Sequence, residues 1–164
     1  MKNILFICMG NICRSPVVEA VARAEFARAG LAVQVASAGI ESYHVGHGAD
    51  RRAIASAHAH GYDVSAHRAR QVDAAMLDEF DAVLAMDDLN MRELDAIARR
   101  EHVPRLALFL PFAGVDTLRE VPDPYYGGAR DFERVIKLAR AGVDGLIRRI
   151  AMAHNAGVPT GTSR

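Results

Sequence analysis

The chain has 164 residues, 51% of them hydrophobic, and its 20 basic and 20 acidic side chains balance to a formal net charge of zero. A chain of this length forms one domain with a substantial core, and the charge balance gives no support to nucleic-acid binding. No apolar run approaches membrane-spanning length, and two cysteines in one loop do not make a secreted disulfide framework. We therefore expect a cytoplasmic globular protein, a monomer or weak dimer, that binds neither nucleic acid nor membranes.

The first predicted elements are a strand, a tight loop and a helix. Residues 4–7 form a short apolar run typical of a buried strand, and an apolar stripe over residues 17–27 predicts the helix. Between them, residues 8–16 read Cys-Met-Gly-Asn-Ile-Cys-Arg-Ser-Pro. We predict that Ser15 caps the helix and that Pro16 occupies its first turn, where a missing N–H costs nothing.

Residues 8–16 have the features of an anion-binding site. Backbone N–H groups in front of a helix N-terminus point at a common centre, where the helix dipole adds positive potential. The Arg14 guanidinium can return to that centre and bind two oxygens of a phosphate group. A cysteine in such a field ionises readily, so we predict a Cys8 thiolate that faces the phosphorus of a bound phosphate ester. The residues predicted to form this phosphate-binding loop are Met9, Gly10, Asn11, Ile12 and Cys13.

A simpler interpretation of Cys8 is a buried cysteine at the end of a strand, which is a common place for that residue. The observed spacing is more specific, because Arg14 and Ser15 follow the cysteine between a strand and a helix that begins with proline. Gly10 and Asn11 are also residue types that accept a left-handed backbone. The pattern therefore favours the phosphate site.

The rest of the chain alternates strands with helices. Three further strands are predicted, at residues 32–36, 81–86 and 105–110. Four further helices are predicted, at residues 53–60, 72–80, 87–100 and 132–150. Two long loops are predicted, at residues 37–50 and 111–129. This order predicts a single-domain α/β fold of flavodoxin-like type, with a doubly wound four-stranded parallel sheet and helices on both faces.

Ligands of such sheets bind beyond the carboxyl ends of the strands, at the topological switch point. Cys8 ends the first predicted strand, and Asp123 lies on the loop after the fourth. A carboxyl group at that edge could protonate a leaving oxygen and then deprotonate water, which is worth about 10²–10⁴-fold in rate. Asp123 followed by Pro124 would by itself indicate an ordinary turn, but beside the cysteine loop we predict a general acid and base.

With these motifs, the chain resembles a bacterial-type low-molecular-weight protein tyrosine phosphatase. The matching segments are residues 8–16, 37–39, 44–46, 67 with 69–71, 85–87 and 123–127. They keep the family's order from residue 3 to about residue 150, and the resemblance implies the fold of that family. We therefore predict a phosphatase domain over residues 1–153 and a flexible tail over residues 154–164.

The resemblance implies hydrolysis of phosphotyrosine in proteins through a phosphocysteine intermediate, with no cofactor and no metal. It makes Cys8 the nucleophile, Arg14 the phosphate clamp and Asp123 the general acid and base. Ser15 would also hydrogen-bond the Cys8 sulfur and ease its departure. Cys13 permits a disulfide with Cys8 after peroxide exposure, which would protect the nucleophile from irreversible oxidation. The implied partner is a phosphotyrosine-bearing protein, for which a cognate tyrosine kinase is a candidate.

Other matched positions have supporting roles. Asn11, Ser37 and His67 correspond to residues that hold the phosphate loop through a hydrogen-bond network in the family. Asp87 is expected first to cap the helix that it opens and second to lie near the site. Two histidine pairs without an obvious third ligand are interpreted as surface residues rather than a metal site: His44 with His47, and His58 with His60.

The walls of the substrate cleft are predicted to be aromatic. Tyr43, Tyr125 and Tyr126, with Met9 and Ile12 on the loop, could flank a flat ring that stands on its phosphate. Scattered surface tyrosines are the alternative interpretation. Many members of the family carry tryptophan where Tyr43 aligns, so this wall departs from the common pattern.

Three alternative functions remain open. An arsenate reductase on the same scaffold would need further cysteines, and none follows Cys13. Protein-arginine phosphatases tend to have threonine in place of Ile12 and to lack the paired tyrosines Tyr125 and Tyr126. A non-catalytic phosphate-binding module is disfavoured, because the cysteine, the arginine and the aspartate of the site are all present.

Overall fold

The structure, a computed structural model, describes residues 1–156. Its centre is a parallel sheet of four strands in the order β2-β1-β3-β4, namely β1 (Asn3–Cys8), β2 (Gln34–Gly39), β3 (Ala82–Ala85) and β4 (Leu106–Leu108). The α-helices of the described part are α1 (Ser15–Arg28), α2 (Arg51–Ala59), α3 (Ala74–Leu77), α4 (Asp88–Ile97), α5 (Phe109–Phe112) and α6 (Ala129–Ala156). The predicted doubly wound sheet is confirmed, and the chain reverses its direction of winding at β1.

Helices cover both faces of the sheet. Because successive side chains of a strand point to opposite faces, Ile4 and Phe6 join the apolar cluster under α1, α2, α5 and α6, whereas Leu5 and Ile7 join the cluster under α3 and α4. All four side chains are fully buried, which explains the continuous apolar run in the sequence. Cys8 comes two residues after Phe6 and points to the same face, so its side chain lies on the α1 side of the sheet.

Several predicted boundaries are wrong. The second strand is β2 rather than residues 32–36, because it pairs along the whole of β1, from Asn3 opposite Gln34 to Cys8 opposite Gly39. The fourth strand ends at Leu108, where the chain turns directly into α5 instead of remaining extended to residue 110. The helices predicted at residues 53–60, 72–80 and 87–100 are observed at Arg51–Ala59, Ala74–Leu77 and Asp88–Ile97.

The final helix is longer than predicted. Its apolar stripe packs into the core as expected, but the helix continues to Ala156 and so includes the first three residues of the predicted tail. The remainder of that predicted tail, residues 157–164, lies outside the described residues. None of the described helices combines the length and the apolar character needed to cross a membrane.

Candidate active site

The phosphate loop is the turn between β1 and α1; Met9 and Gly10 are half-buried and residues 11–14 are buried. Cys8 at the end of β1 is 2% exposed, and Asn11 and Arg14 are equally inaccessible. Among the hydrogen bonds of the described residues, none is donated by a backbone N–H of residues 9–14. Successive N–H groups without a protein acceptor in front of a helix N-terminus suit an anion, so these six groups form a cradle for a phosphate.

Asn11 supports the loop from inside. Its φ of 55° lies in the left-handed region, which asparagine tolerates better than most residues. Its Nδ2 donates to Ser15 Oγ and to Ser37 Oγ, both at 2.9 Å, and its Oδ1 accepts from the Arg70 N–H at 3.0 Å. Its carbonyl oxygen accepts from His67 Nε2 at 2.7 Å. The three residues predicted to support the loop therefore meet in one hydrogen-bond network.

Gly10 has a different purpose from the one predicted, because its backbone is not left-handed. A Cβ at this position would lie 2.9 Å from His44 Cδ2, so glycine lets the imidazole ring pack against the loop. His44, which the sequence suggested was a surface residue, is partly buried and lines the cleft beside Cys8. A small loop residue facing a histidine leaves no periodic signal in the sequence.

The prediction that Ser15 caps α1 is wrong. Arg14 occupies the N-cap position without a side-chain cap, and Ser15 is the first helical residue, followed by Pro16 in the first turn. The Ser15 hydroxyl is used inside the site, where it lies 3.0 Å from the Cys8 sulfur. Because Ser15 Oγ already accepts a hydrogen bond from Asn11, its own hydrogen can point at the sulfur.

The network continues to residues that sequence analysis did not identify. Ser37 Oγ donates to Glu19 Oε2 at 2.5 Å, and Glu19 also pairs with Arg23 along α1. Arg70 Nε donates to the Ser37 carbonyl oxygen at 2.9 Å. Burial lowers the pKa of the His67 imidazole, so the neutral ring donates its Nε2–H to the loop carbonyl. Such contacts join residues far apart in the sequence, which no local pattern indicates.

Arg14 is held by acidic side chains on both sides of its guanidinium group. Its Nη1 donates to Asp87 Oδ2 at 2.5 Å and to the Val121 carbonyl at 3.1 Å, and its Nη2 lies 3.5 Å from Asp123 Oδ2. Burial disfavours the charged guanidinium, but Cys8 and the two carboxylates outweigh this effect and raise the pKa of Arg14. Asp87 also caps α4, so both of its expected positions are observed.

A cleft of about 350 Å³ opens above Cys8. Asp123 lies at its edge with about half of its side chain exposed, and its Oδ1 accepts from the Tyr125 N–H at 3.1 Å. Tyr43 and Tyr126 are 72% and 97% exposed, whereas Tyr125 is 39% exposed. The structure therefore brings all three predicted aromatic residues to one cleft. The other residues that line it are Met9, Gly10, Ile12, Cys13, Arg14 and His44.

Cys13 is a free thiol in the same loop, as is Cys8. Burial, followed by the nearby Asp50, Cys8 and Asp123, raises the pKa of the Cys13 thiol to about 12. At neutral pH this side chain is therefore an uncharged thiol that packs in the core cluster under α1. Both cysteines of the loop are therefore buried free thiol groups near the cleft, and burial disfavours the thiolate form of Cys13.

The combined geometry can bind a phosphate group and allow transfer of the phosphoryl group to the sulfur. The cleft contains a sulfur nucleophile, a guanidinium with a cradle of amides for the equatorial oxygens, and a carboxyl group at the rim for proton transfer. Within residues 1–156, no three histidine, cysteine or acidic side chains cluster in a way that could hold a metal ion.

Comparisons with known proteins agree with this geometry. The model of the family described as low molecular weight phosphotyrosine protein phosphatase matches residues 3–156. The low molecular weight protein-tyrosine-phosphatase of Streptomyces coelicolor is 40% identical over 155 residues, which cover 90% of this chain and 93% of the relative. A crystal structure of the protein tyrosine phosphatase of Entamoeba histolytica matches with a TM-score of 0.88 at 34% identity, over 94% of this chain and 99% of that one.

The Vibrio vulnificus protein Wzb, solved in complex with benzylphosphonate, matches with a TM-score of 0.81 at 30% identity, over 90% of this chain and 98% of its own. The family model extends from β1 to the end of α6, so it includes every element that shapes the cleft. The chain therefore belongs to the low molecular weight phosphotyrosine protein phosphatase family.

Proposed function

We propose that the protein hydrolyses phosphotyrosine in proteins through a phosphocysteine intermediate. The Cys8 thiolate attacks phosphorus, so that an S–P bond forms as the P–O bond to the phenol breaks. Asp123 gives its proton to the departing oxygen. Asp123 then removes a proton from water, which attacks phosphorus and releases inorganic phosphate together with the Cys8 thiolate.

One observation carries this proposal: Asp123, more than 100 residues further along the chain, meets Cys8 and Arg14 of the phosphate loop in a single cleft. The Arg14 Nη2 lies 3.5 Å from Asp123 Oδ2, and the backbone N–H groups of residues 9–14, which directly follow Cys8, donate to no acceptor among the described residues. Phosphoryl transfer has a loose transition state, so this preorganised positive charge is the main source of catalysis. A module that only binds phosphate would need neither the sulfur nor the carboxyl group.

The cleft walls support an aromatic phosphate ester as the substrate. Tyr125 and Ile12 offer apolar surface to a ring, and the cleft mouth beside Tyr43 and Tyr126 is open enough for a protein segment. The related Wzb was solved with benzylphosphonate, a ring joined through one carbon to a phosphonate. An autophosphorylated tyrosine kinase is a candidate substrate of this kind.

The proposal is tested by assaying wild type, Cys8→Ser and Asp123→Ala on p-nitrophenyl phosphate, a phosphotyrosine peptide and phosphoarginine. We expect no turnover by Cys8→Ser. We expect Asp123→Ala to lose about 10²–10⁴-fold in kcat/KM on the peptide, since its phenolate needs a proton, and less on p-nitrophenyl phosphate. Asp116→Ala, an exposed acid on the same loop, is the matched control and should keep full activity.

Rapid acid quench followed by mass spectrometry should locate the phosphoryl group on Cys8 of the wild type. Turnover by Cys8→Ser, or a phosphoryl group on another residue, would contradict the mechanism. A preference for phosphoarginine over the phosphotyrosine peptide would leave the mechanism intact but replace the substrate.

We also propose that peroxide converts Cys8 and Cys13 to a disulfide that protects the nucleophile. Peroxide oxidises the Cys8 thiolate to a sulfenic acid, and the Cys13 sulfur then displaces hydroxide and gives up its proton. The support is that both are free cysteines in one loop. Inactivated enzyme should lose two thiols and regain activity with dithiothreitol, whereas Cys13→Ala should be inactivated irreversibly. Full recovery of Cys13→Ala with dithiothreitol would contradict this role.

A further inference from the structure

Arg52 is held in a fixed orientation beside the cleft. It is the second residue of α2, and Asp50 caps that helix by accepting from the Arg52 N–H at 2.8 Å. The two carboxylate oxygens of Asp50 also accept from Arg52 Nε at 3.0 Å and from Nη2 at 2.8 Å. This paired geometry fixes the plane of the guanidinium group, and it lowers the pKa of the Asp50 carboxyl.

The fixed guanidinium contacts the loop that carries Tyr125. Its central carbon lies 5.6 Å from the centre of the Tyr125 ring and 4.6 Å from the centre of the Phe132 ring, within the range of cation–π attraction. Its Nη1 lies 3.5 Å from the Gly127 carbonyl oxygen. Phe132 is 2% exposed in the first turn of α6, so Arg52 joins Tyr125 to a rigid part of the core.

The pair of Asp50 and Arg52 is also attached to the phosphate loop. The Asp50 N–H donates to the Ile12 carbonyl oxygen at 2.9 Å, and Ile12 lines the cleft. Ile12, Asp50, Arg52 and Tyr125 therefore form a continuous series of contacts that relates the phosphate position to the position of one aromatic wall. Tyr126, in contrast, is almost fully exposed and packs edge-on against Tyr125.

We propose that Arg52 is a positioning residue that fixes Tyr125 as the wall for the substrate ring, and thereby sets the preference for aromatic phosphoryl groups. This inference rests on the proposed function, since it assumes that the cleft receives a ring that stands on a phosphate. Arg52 itself touches neither the reacting atoms nor the cleft surface. Its effect should therefore appear in the binding of a ring and not in the binding of phosphate alone.

The test compares two dissociation constants, those of benzylphosphonate and inorganic phosphate, measured by titration calorimetry. For Arg52→Ala we expect benzylphosphonate to bind about 5–10-fold more weakly, in line with losing a cation–π contact, while phosphate changes less than about twofold. Arg52→Lys keeps the charge but loses the planar fork, so its dissociation constant for benzylphosphonate should lie between those of wild type and Arg52→Ala. Arg51→Ala removes the exposed neighbouring arginine and should match wild type.

Tyr125→Ala separates positioning from general damage. If Arg52 acts through Tyr125, adding Arg52→Ala to Tyr125→Ala should cause no further loss of benzylphosphonate affinity. Equal weakening of both ligands by Arg52→Ala, or additive losses in the double variant, would overturn the inference. The measurement is made at equilibrium, so absence of turnover would refute the proposed function without altering this result.

Discussion

Ser15 shows how the site uses a residue for which the sequence suggests a simpler purpose. Serine before proline at a helix start predicts a cap, but the N-cap position is Arg14 and the hydroxyl points into the site instead. Ser15 Oγ accepts from Asn11 and lies 3.0 Å from the Cys8 sulfur, so the hydroxyl is the donor of that contact when the sulfur is a thiolate. In the proposed mechanism that hydrogen bond should be strongest when the sulfur leaves phosphorus as a thiolate, which is the second chemical step.

We therefore expect Ser15→Ala to slow breakdown of the phosphocysteine more than its formation. A hydrogen bond to a charged group contributes about 1.5–3 kcal/mol, which corresponds to a roughly 10–100-fold lower kcat. Stopped-flow measurements should show a larger burst of p-nitrophenol than wild type, because the intermediate accumulates. Ser56→Ala on α2 is the control for replacing a helical serine. A fall in kcat without a burst would show that Ser15 acts on the first step.

At the scale of elements, local patterns predicted the strand, loop and helix that build the site but not the extent of the strands. Residues 37–39 read as a loop because serine and glycine are weak strand formers, yet they complete β2 by pairing with β1 up to Cys8. A Cβ on Gly39 would lie 2.9 Å from the Met9 carbonyl oxygen and 3.0 Å from the Asn11 nitrogen. Glycine thus lets the end of β2 approach the phosphate loop closely.

The predicted end of the fourth strand was wrong for another reason. Residues 106–112 are a continuous apolar run that suits a buried strand or a buried helix equally, and the structure divides it between β4 and α5. The predicted site residues gather at the carboxyl edge of the sheet, where Cys8 ends β1 and the Val121 N–H donates to the Met86 carbonyl oxygen, which brings the loop of Asp123 to the end of β3. The contacts of Glu19, Arg52 and Arg70 depend on tertiary packing between distant segments, so composition and spacing could not predict them.

Considered as a whole, the molecule separates its chemistry from its stability. The cleft lies at the carboxyl ends of the strands, whereas α3 and α4 end at the opposite edge, just before β3 and β4 begin. At that edge Asp78, after α3, accepts from Arg99 Nη2 at 2.5 Å and lies 2.8 Å from Nε2 of the fully buried His102. Because His102 Nδ1 accepts from the Arg99 N–H, Nε2 carries the hydrogen that is donated to Asp78.

This cluster predicts an acid-sensitive contribution to stability far from the active site. Hydrogen bonds from Arg99 and then His102 lower the pKa of Asp78 from its ordinary 3.8 to about 2. A folded-state pKa below the unfolded value stabilises the protein above about pH 4, and that contribution disappears as the pH falls toward 2. Asp78→Asn should therefore melt below wild type at pH 7, and the two melting temperatures should converge between pH 4 and pH 2.

Thermal melts followed by circular dichroism across pH 2–7 measure this convergence. Asp95→Asn, which removes an exposed acid from α4, is the matched control, and its melting temperature should change with pH as that of wild type does. Phosphatase activity of Asp78→Asn at pH 7 and 25 °C should be unchanged, since the cluster lies at the edge of the sheet opposite the cleft. A constant difference in melting temperature at every pH would mean that Asp78 stabilises the fold by packing and not by its charge.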